Sequence, residues 1–368
     1  MKPYNFQNIN RHFPLTCVLI LNYNNWADTI ECLESVLKLD YPHYFVVLVD
    51  NGSIDNSALF FNKWATGELD TWLHPQNSLK SLLFPLIEKP VTLIELHHHE
   101  LQNKGWKILN QKHLEHPLEY CDQKIIYFIR KEKNDGFAAG INVGIQFVLN
   151  NSIAKYIWLL NNDTVVDPHA LKFLIKNHLC LKKQGKKIGL MGSKLLYYDR
   201  PDVIQALGGG KYYKWLAISK HIGENTKDIG QSDHNFLPID YIVGASLLVP
   251  IEFIFDIGLM CEDYFLYYEE LDWAVRGRKK GWDLSYSLQS KVYHKEGRTI
   301  GSNLDPKKRS WQSEYYALRN RLVFTKRFYP QSLPTVVLGL MLSLINGLRR
   351  KQFYRIKLIF KIMKDLLF

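Results

Sequence analysis

Short, uninterrupted apolar runs alternate with amphipathic stretches along the first 160 residues, and each apolar run ends in a polar cluster. Thr16 to Leu21 leads into Asn22-Tyr23-Asn24-Asn25, and Phe45 to Val49 into Asp50-Asn51-Gly52-Ser53. Ile125 to Ile129 precedes the Gly-rich Asn134-Asp135-Gly136-Phe137-Ala138-Ala139-Gly140, and Tyr156 to Leu160 ends in Asn161-Asn162-Asp163. Between the first two runs, Ile30, Leu33 and Leu37 repeat at helical intervals, and Asp28 and Glu31 have capping-box spacing. Phe137, Ile141, Ile145 and Val148 mark a second helix, and Asp167-Pro168 reads as an N-cap with proline in the first turn. Fully apolar strands separated by helices predict a mostly parallel sheet covered on both faces. Ligands of such sheets bind beyond the carboxyl ends of the strands, where every polar cluster here falls.

The connection from about residue 60 to 123 is too long for a structureless loop and predicts a helical insertion. It contains His97-His98-His99, which reads as a solvated polar segment or, as the alternative, a metal-binding run. Farther on, Asp240 to Pro250 reads as a strand or buried turn, and Tyr268 to Lys280 as a helix stopped by Gly281. Phe328 to Leu348 carries no charge, but Pro330, Pro334, Gly339 and Gly347 interrupt it, leaving a helix too short for a bilayer of ~30 Å. In the last 20 residues, Phe353, Ile356, Ile359 and Phe360 form one apolar face opposite lysines and arginines, the pattern of an interfacial helix, with a transmembrane hairpin or a partner-binding helix as the alternatives.

Charge sharpens this division. The net charge of +11 resides entirely in residues 301–368, which hold 14 Lys and Arg against 3 Asp and Glu; the preceding 300 residues balance at 33 of each. A neutral body with a basic tail predicts an anionic membrane surface as partner; no recognition motif supports nucleic acid. Five scattered cysteines without C-x-x-C spacing, and an N-terminus without a signal-like apolar run, predict a reducing, cytoplasmic setting at the inner membrane face.

Three polar clusters suit chemistry. Asp50 at a strand end can accept the N–H of a pyrimidine, framed by the backbone of Asn22 and Tyr23, or serve as a turn aspartate. Asp163 of Asn161-Asn162-Asp163 suits a hard divalent cation that also holds a diphosphate, or a plain turn. Glu269, Glu270 and Asp272 open a helix: Asp272 pairs with Arg276 at the surface, Glu269 shares that face, and Glu270 is left unpaired. An unpaired carboxylate near other anions makes a general base of raised pKa; an acidic first turn favoured by the helix dipole is the alternative.

The stretches VLILNYNNWADTIECLESVLKLDYP, VVLVDNGSIDNS, EKNDGFAAGINVGI, YIWLLNNDTVVDP, VGASLLVP and FLYYEELDWAVRGRKKGWDLSYSLQSKVYHKEG together resemble family 2 glycosyltransferases of the GT-A fold, in their rhamnosyltransferase-like branch. The resemblance covers most of residues 16–300 and implies a GT-A domain over 14–300, with the insertion at about 60–123, followed by a basic, apolar helical tail over 301–368 that associates with membrane. It implies an α/β fold, a nucleotide site at Asn22, Tyr23, Asp50, Asn134, Gly136 and Asn162, and a divalent metal (Mn²⁺ or Mg²⁺) at Asp163 and His294. Asn161 replaces the first aspartate of the family's D-x-D. Glu270 takes the place of the catalytic aspartate, with Glu269, Asp272, Tyr268 and Trp273 around the acceptor. The implied activity is inverting transfer of a sugar from a dTDP- or UDP-sugar to a hydroxyl of a glycan or lipid-linked acceptor. Rhamnose as the sugar follows from the branch alone. A nucleotidyltransferase lacks its basic Gly-rich loop between Leu19 and Trp26, and a catalytically inactive nucleotide-sugar-binding protein is the other alternative.

Overall fold

The fully apolar runs become the interior strands of one sheet. The computed structural model describes residues 13–71, 77–107, 125–230, 237–295, 310–349 and 354–367. Its first part comprises β1 (Thr16–Asn22), α1 (Trp26–Val36), β2 (Tyr44–Asp50), α2 (Ser57–Thr66), α3 (Lys80–Leu83), β3 (Thr92–His97) and α4 (His98–Asn103). Then come β4 (Ile125–Arg130), α5 (Phe137–Asn151), β5 (Tyr156–Asn161), β6 (Thr164–Val166), α6 (Ala170–Lys183) and β7 (Ile188–Tyr197). A run of short strands follows: β8 (Ile204–Leu207), β9 (Gly209–Tyr213), β10 (Ile218–His221), β11 (Tyr241–Ile242) and β12 (Ser246–Pro250). The chain ends in α7 (Ile251–Ile257), α8 (Glu269–Lys279), β13 (Asp283–His294), α9 (Trp311–Phe328), α10 (Leu333–Arg349) and α11 (Tyr354–Leu367).

The large sheet runs β3-β4-β2-β1-β5-β12-β7-β13-β6, with β8 added alongside β7. From β3 to β5 all pairs are parallel, and β12 reverses direction between β5 and β7. Along β1, Cys17 and Leu19 belong to one core layer and Val18 and Ile20 to the other, so alternate side chains bury both faces. The helix α5 lies directly on β1, because a Cβ at Gly140 or Gly144 would collide with Leu21 or Leu19. In register, Asn22 pairs with Asp50, Leu21 with Asn161 and His294 with Thr164. The polar clusters therefore end level along one edge.

Several local expectations change. The N-cap of α1 is Asn25, without a side-chain cap, so Asp28 and Glu31 form no capping box. Both instead face Lys295. The helix after Asp167-Pro168 begins at Ala170, and Asp167 accepts from the His169 amide. The insertion is only partly helical, because β3 extends the parallel sheet at its edge. Glu34, fully buried on α1, anchors this insertion by accepting from Trp64 Nε1, the Ile87 amide and Lys89. His97 faces Glu95, while His98 and His99 face Glu132. In the tail, Phe353 lies outside the described residues, and Leu358 and Ile362 are the residues of α11 that pack with Tyr315 of α9. No helix among the described residues is long and apolar enough to cross a membrane.

Candidate active site

A hydrogen-bonded hub forms where β1, β2 and β5 end. Asn22, fully buried, donates to Asp50, Ser53 and Ser57 at 2.8, 3.1 and 3.1 Å and accepts from Thr29 at 2.8 Å. Asn162 donates to Thr29 Oγ1 at 2.9 Å and to Asn22 Oδ1 at 3.3 Å. Both amides are thus occupied in fixing the rim. Asp50 also takes the Ser53 amide at 3.3 Å. Burial pushes its carboxyl above the ordinary range, partly offset by the hydrogen bonds from Ser53 and Asn22. Tyr23 is half-buried beside this hub.

The turn after β4 is held from within. Asn134 Oδ1 accepts from Asn51 Nδ2 and from the Gly136 amide, both at 2.9 Å. Gly136 has φ +104°, and a Cβ there would stand 2.7 Å from the Cα and carbonyl oxygen of Phe265. The close approach that requires glycine is therefore to Phe265. The Phe137 amide donates to the Phe265 carbonyl at 2.7 Å, joining this turn to the loop before α8.

Asp163 follows β5, and His294 ends β13. Their Oδ1 and Nε2 atoms stand 3.2 Å apart, both residues nearly buried, and Asp163 Oδ1 has no hydrogen-bond partner. His294 Nδ1 lies 2.9 Å from Gln205 Oε1, which fixes the proton on Nδ1 and turns Nε2 towards the carboxylate. Burial pushes the Asp163 carboxyl up, but the His294 imidazole and the nearby Lys295 ammonium outweigh it and hold it below the ordinary range. One imidazole nitrogen and one carboxylate oxygen match the one or two protein ligands that Mg²⁺ or Mn²⁺ takes beside a diphosphate, so the residues fit the implied ion. Among the described residues no cluster of three or more potential ligands forms. Lys295, which the sequence reading missed, ties the site to α1 through Asp28 and Glu31.

The loop into α8 is strained. Phe265, Tyr267 and Tyr268 have φ of +65°, +68° and +79°, a left-handed conformation that non-glycine residues adopt at a cost of about 1–3 kcal/mol each. Asn320 of α9, fully buried, holds the loop by donating to the carbonyls of Tyr264, Leu266 and Tyr267 at 2.9, 2.8 and 3.2 Å. Sequence reasoning missed Asn320, and only its distance from the motifs, on a helix assigned to the tail, concealed it. Immediately after this loop, Glu270 is half-buried and Glu269 buried, with Glu269 Oε1 unpartnered. Burial pushes Glu270 up to about 7. Glu269 is pushed well above the carboxylate range by burial and then by the charge of Glu270.

Two expected acceptor contacts fall in the core. Asp272 is fully buried and tied to Tyr264, Arg276 and Arg327, so the Asp272–Arg276 pair forms but not at the surface. Trp273 is fully buried against Phe253, its Nε1 donating to the Gly258 carbonyl at 2.9 Å. Tyr268 packs with Tyr212 and Phe324 and donates from its hydroxyl to the Ala217 carbonyl at 3.1 Å. The carboxyl of Glu270 faces Gly244, where a Cβ would lie 3.9 Å from Glu270 Cδ. The adjacent Ala245 carbonyl accepts from the Asn161 amide at 3.1 Å. This path joins Glu270 to the segment that carries Asp163.

The description "Glycosyl transferase family 2" matches residues 17–78, which carry β1, α1, β2 and α2. A curated relative, the low-salt glycan biosynthesis hexosyltransferase Agl10 of Haloferax volcanii, is 20% identical over 233 residues, 62% of this chain and 69% of that protein. A crystal structure of GalNAc-T7 with UDP, GalNAc and Mn²⁺ shares the fold at 15% identity and a TM-score of 0.52. That superposition covers 88% of this chain and 49% of the other, so the chain spans about half the length of that protein. A mannosyltransferase from Pyrobaculum calidifontis in complex with GDP-Man and Mn²⁺ is 11% identical at a TM-score of 0.47, over 92% and 77% of the two chains. The family match and the hexosyltransferase relative support a glycosyltransferase, and the fold is the GT-A arrangement.

Proposed function

We propose that this chain inverts the anomeric centre of a sugar as it transfers it from a nucleoside diphosphate to a hydroxyl of a lipid-linked or glycan acceptor, on the cytoplasmic face of a membrane. The observation that carries the reading is the path just described, from the Glu270 carboxyl through Gly244 and Ala245 to Asn161 and Asp163. It sets a carboxylate of pKa about 7 on the same sheet edge as an acidic metal-type pair.

Asp50 accepts the N–H of a uracil or thymine ring, which the Asn22 hub and Tyr23 border. A divalent cation held by Asp163 and His294 would neutralise the charge that gathers on the departing diphosphate. Glu270 removes the proton from the acceptor hydroxyl as its oxygen bonds to the anomeric carbon. The bond from that carbon to the diphosphate oxygen breaks on the opposite face, and the electron pair leaves with the nucleotide. Asn320 and the strained loop hold Glu270 in place without touching substrate. The Mn²⁺ and UDP of GalNAc-T7 support the donor class and the ion. The hexosyltransferase activity of the Haloferax protein supports the transferred group.

The test is calorimetric titration of the full chain with UDP and dTDP, with and without Mn²⁺, using Asp163→Ala as control. Metal-dependent binding lost in the variant supports the donor site and identifies the base. A folded protein that binds neither nucleotide overturns it.

A further inference from the structure

The small sheet β10-β9-β11 carries a hairpin whose turn, Lys214 to Ala217, projects beside the start of α10. Thr335 of α10 donates to the Trp215 carbonyl at 2.6 Å, fixing the two together. On the hairpin, Tyr213, Trp215, Leu216 and Ile218 are exposed, Leu216 by 57%. On α10 the exposed residues are Val337, Leu338, Met341, Leu342 and Ile345, Leu338 by 58%. Their spacing sets them on one face of the helix, opposite the buried Val336 and Leu340. A soluble chain rarely leaves so many large apolar side chains together on its surface.

The surroundings of this face identify its occupant. Lys214 and Lys220 are exposed on the hairpin, Arg349 ends α10, and Lys357, Lys361 and Lys364 are exposed on α11. From Leu333 onward the sequence holds seven Lys and Arg against one acidic residue, Asp365. A second copy would bring this same basic rim against itself, whereas an anionic lipid surface complements it. Trp215 and Tyr213 suit the headgroup level, where amphipathic rings sit. We infer that hairpin β9–β10 and the exposed face of α10 form one docking surface for an anionic bilayer, with Trp215 and Leu216 entering the headgroup region beside Leu338 and Leu342. The helix α11 packs against α9 through Leu358 and Ile362, and α10 presents the exposed apolar face.

The surface is also joined to the chemistry. Ala217, next to Leu216, accepts from the Tyr268 hydroxyl, and Tyr268 immediately precedes Glu269 and Glu270. A bilayer on this face stands beside the acceptor side of the site, so the acceptor is lipid-linked and reaches Glu270 from the membrane. This conclusion about the acceptor rests on the sugar-transfer reading; the docking surface itself does not.

The experiment is co-sedimentation of the full chain with phosphatidylcholine vesicles, either pure or containing about a third phosphatidylglycerol. Trp215→Ser/Leu216→Ser and Leu338→Ser/Leu342→Ser are compared with wild type at matched thermal stability. The expected result is wild-type binding to the anionic vesicles alone, weakened about tenfold or more in each double variant. Wild-type binding undiminished in both variants, or no binding of wild type to anionic vesicles, overturns the surface. So does a wild-type dimer that both variants disperse. Parallel titration with UDP and dTDP separates the two readings. Nucleotide binding without vesicle binding removes only the docking surface, and vesicle binding without nucleotide binding removes only sugar transfer.

Discussion

Asp163 and His294 meet at 3.2 Å where β13 ends beside the start of β6, and Gln205 orients the imidazole from behind. A carboxylate oxygen with no hydrogen bond is retained there in the interior. Replacing Asp163 with Asn preserves its shape but removes the charge. The expected outcome is an unchanged melting temperature to within a few degrees and loss of the Mn²⁺-dependent part of nucleotide affinity. Gln205→Ala removes only the orienting group and weakens that part by about 10–100-fold. Equal affinity with and without Mn²⁺ in wild type would sink both expectations.

Glu270→Gln is expected to leave nucleotide affinity intact and to lower kcat by about 10²–10⁴. In wild type, kcat/KM rises with pH and levels off above about 7, where Glu270 has lost its proton. A profile flat from pH 5 to 9 in wild type would exclude Glu270 as the base.

The Glu269 and Glu270 carboxyls give stability a pH dependence of definite sign. Their folded pKa values lie above the ordinary value of 4.5, so the folded state binds more protons than the unfolded state between 4.5 and about 7. Stability is therefore highest at the acid end of that window and declines as pH rises through it. Glu270→Gln removes the decline that it causes and should stabilise the protein by about 2 kcal/mol at pH 8 relative to pH 5. Denaturant midpoints at the two pH values measure it; a stabilisation equal at both would refute the assignment.

Asn320→Ala leaves up to three carbonyls of a strained loop without their donor, at about 1–3 kcal/mol for each that water does not reach. The loss should appear in kcat more than in KM, because the loop aims Glu270 and does not bind the donor. If the variant melts lower but turns over at the wild-type rate, Asn320 supports the fold alone.

Gly136→Ala puts a methyl against the Phe265 backbone at a residue with φ +104°. About 3 kcal/mol of destabilisation is expected from the combined strain and crowding. Hydrogen exchange at the Phe137 amide, which donates to Phe265, should accelerate with it. Protection equal to wild type would mean that the turn and the loop are not coupled.

The sheet was legible because β1, β2, β4 and β5 are apolar on both faces, a pattern with few other physical solutions. The strand-end positions of Asp50 and Asp163 followed from that. The edge strand β3 was not legible, since Thr92 to His97 is mixed in polarity and only its pairing with β4 makes it a strand. Asp272 and Trp273 were misplaced for a related reason: a carboxylate beside an arginine reads as surface, and nothing local reveals Tyr264 and Arg327 closing over it. Lys295 and Asn320 act across 264 and 53–56 residues of chain, respectively, beyond any local pattern.

Apart from the Asp50 carboxyl, which accepts from Asn22 and Ser53, the joints of the Asn22 hub are amides and hydroxyls. Neutral hydrogen bonds are not screened by dissolved ions as charge pairs are. The shape of this rim should therefore persist from dilute buffer to concentrated brine, and ionic strength would act on the charged phosphates that arrive there, while the frame that receives them stays fixed.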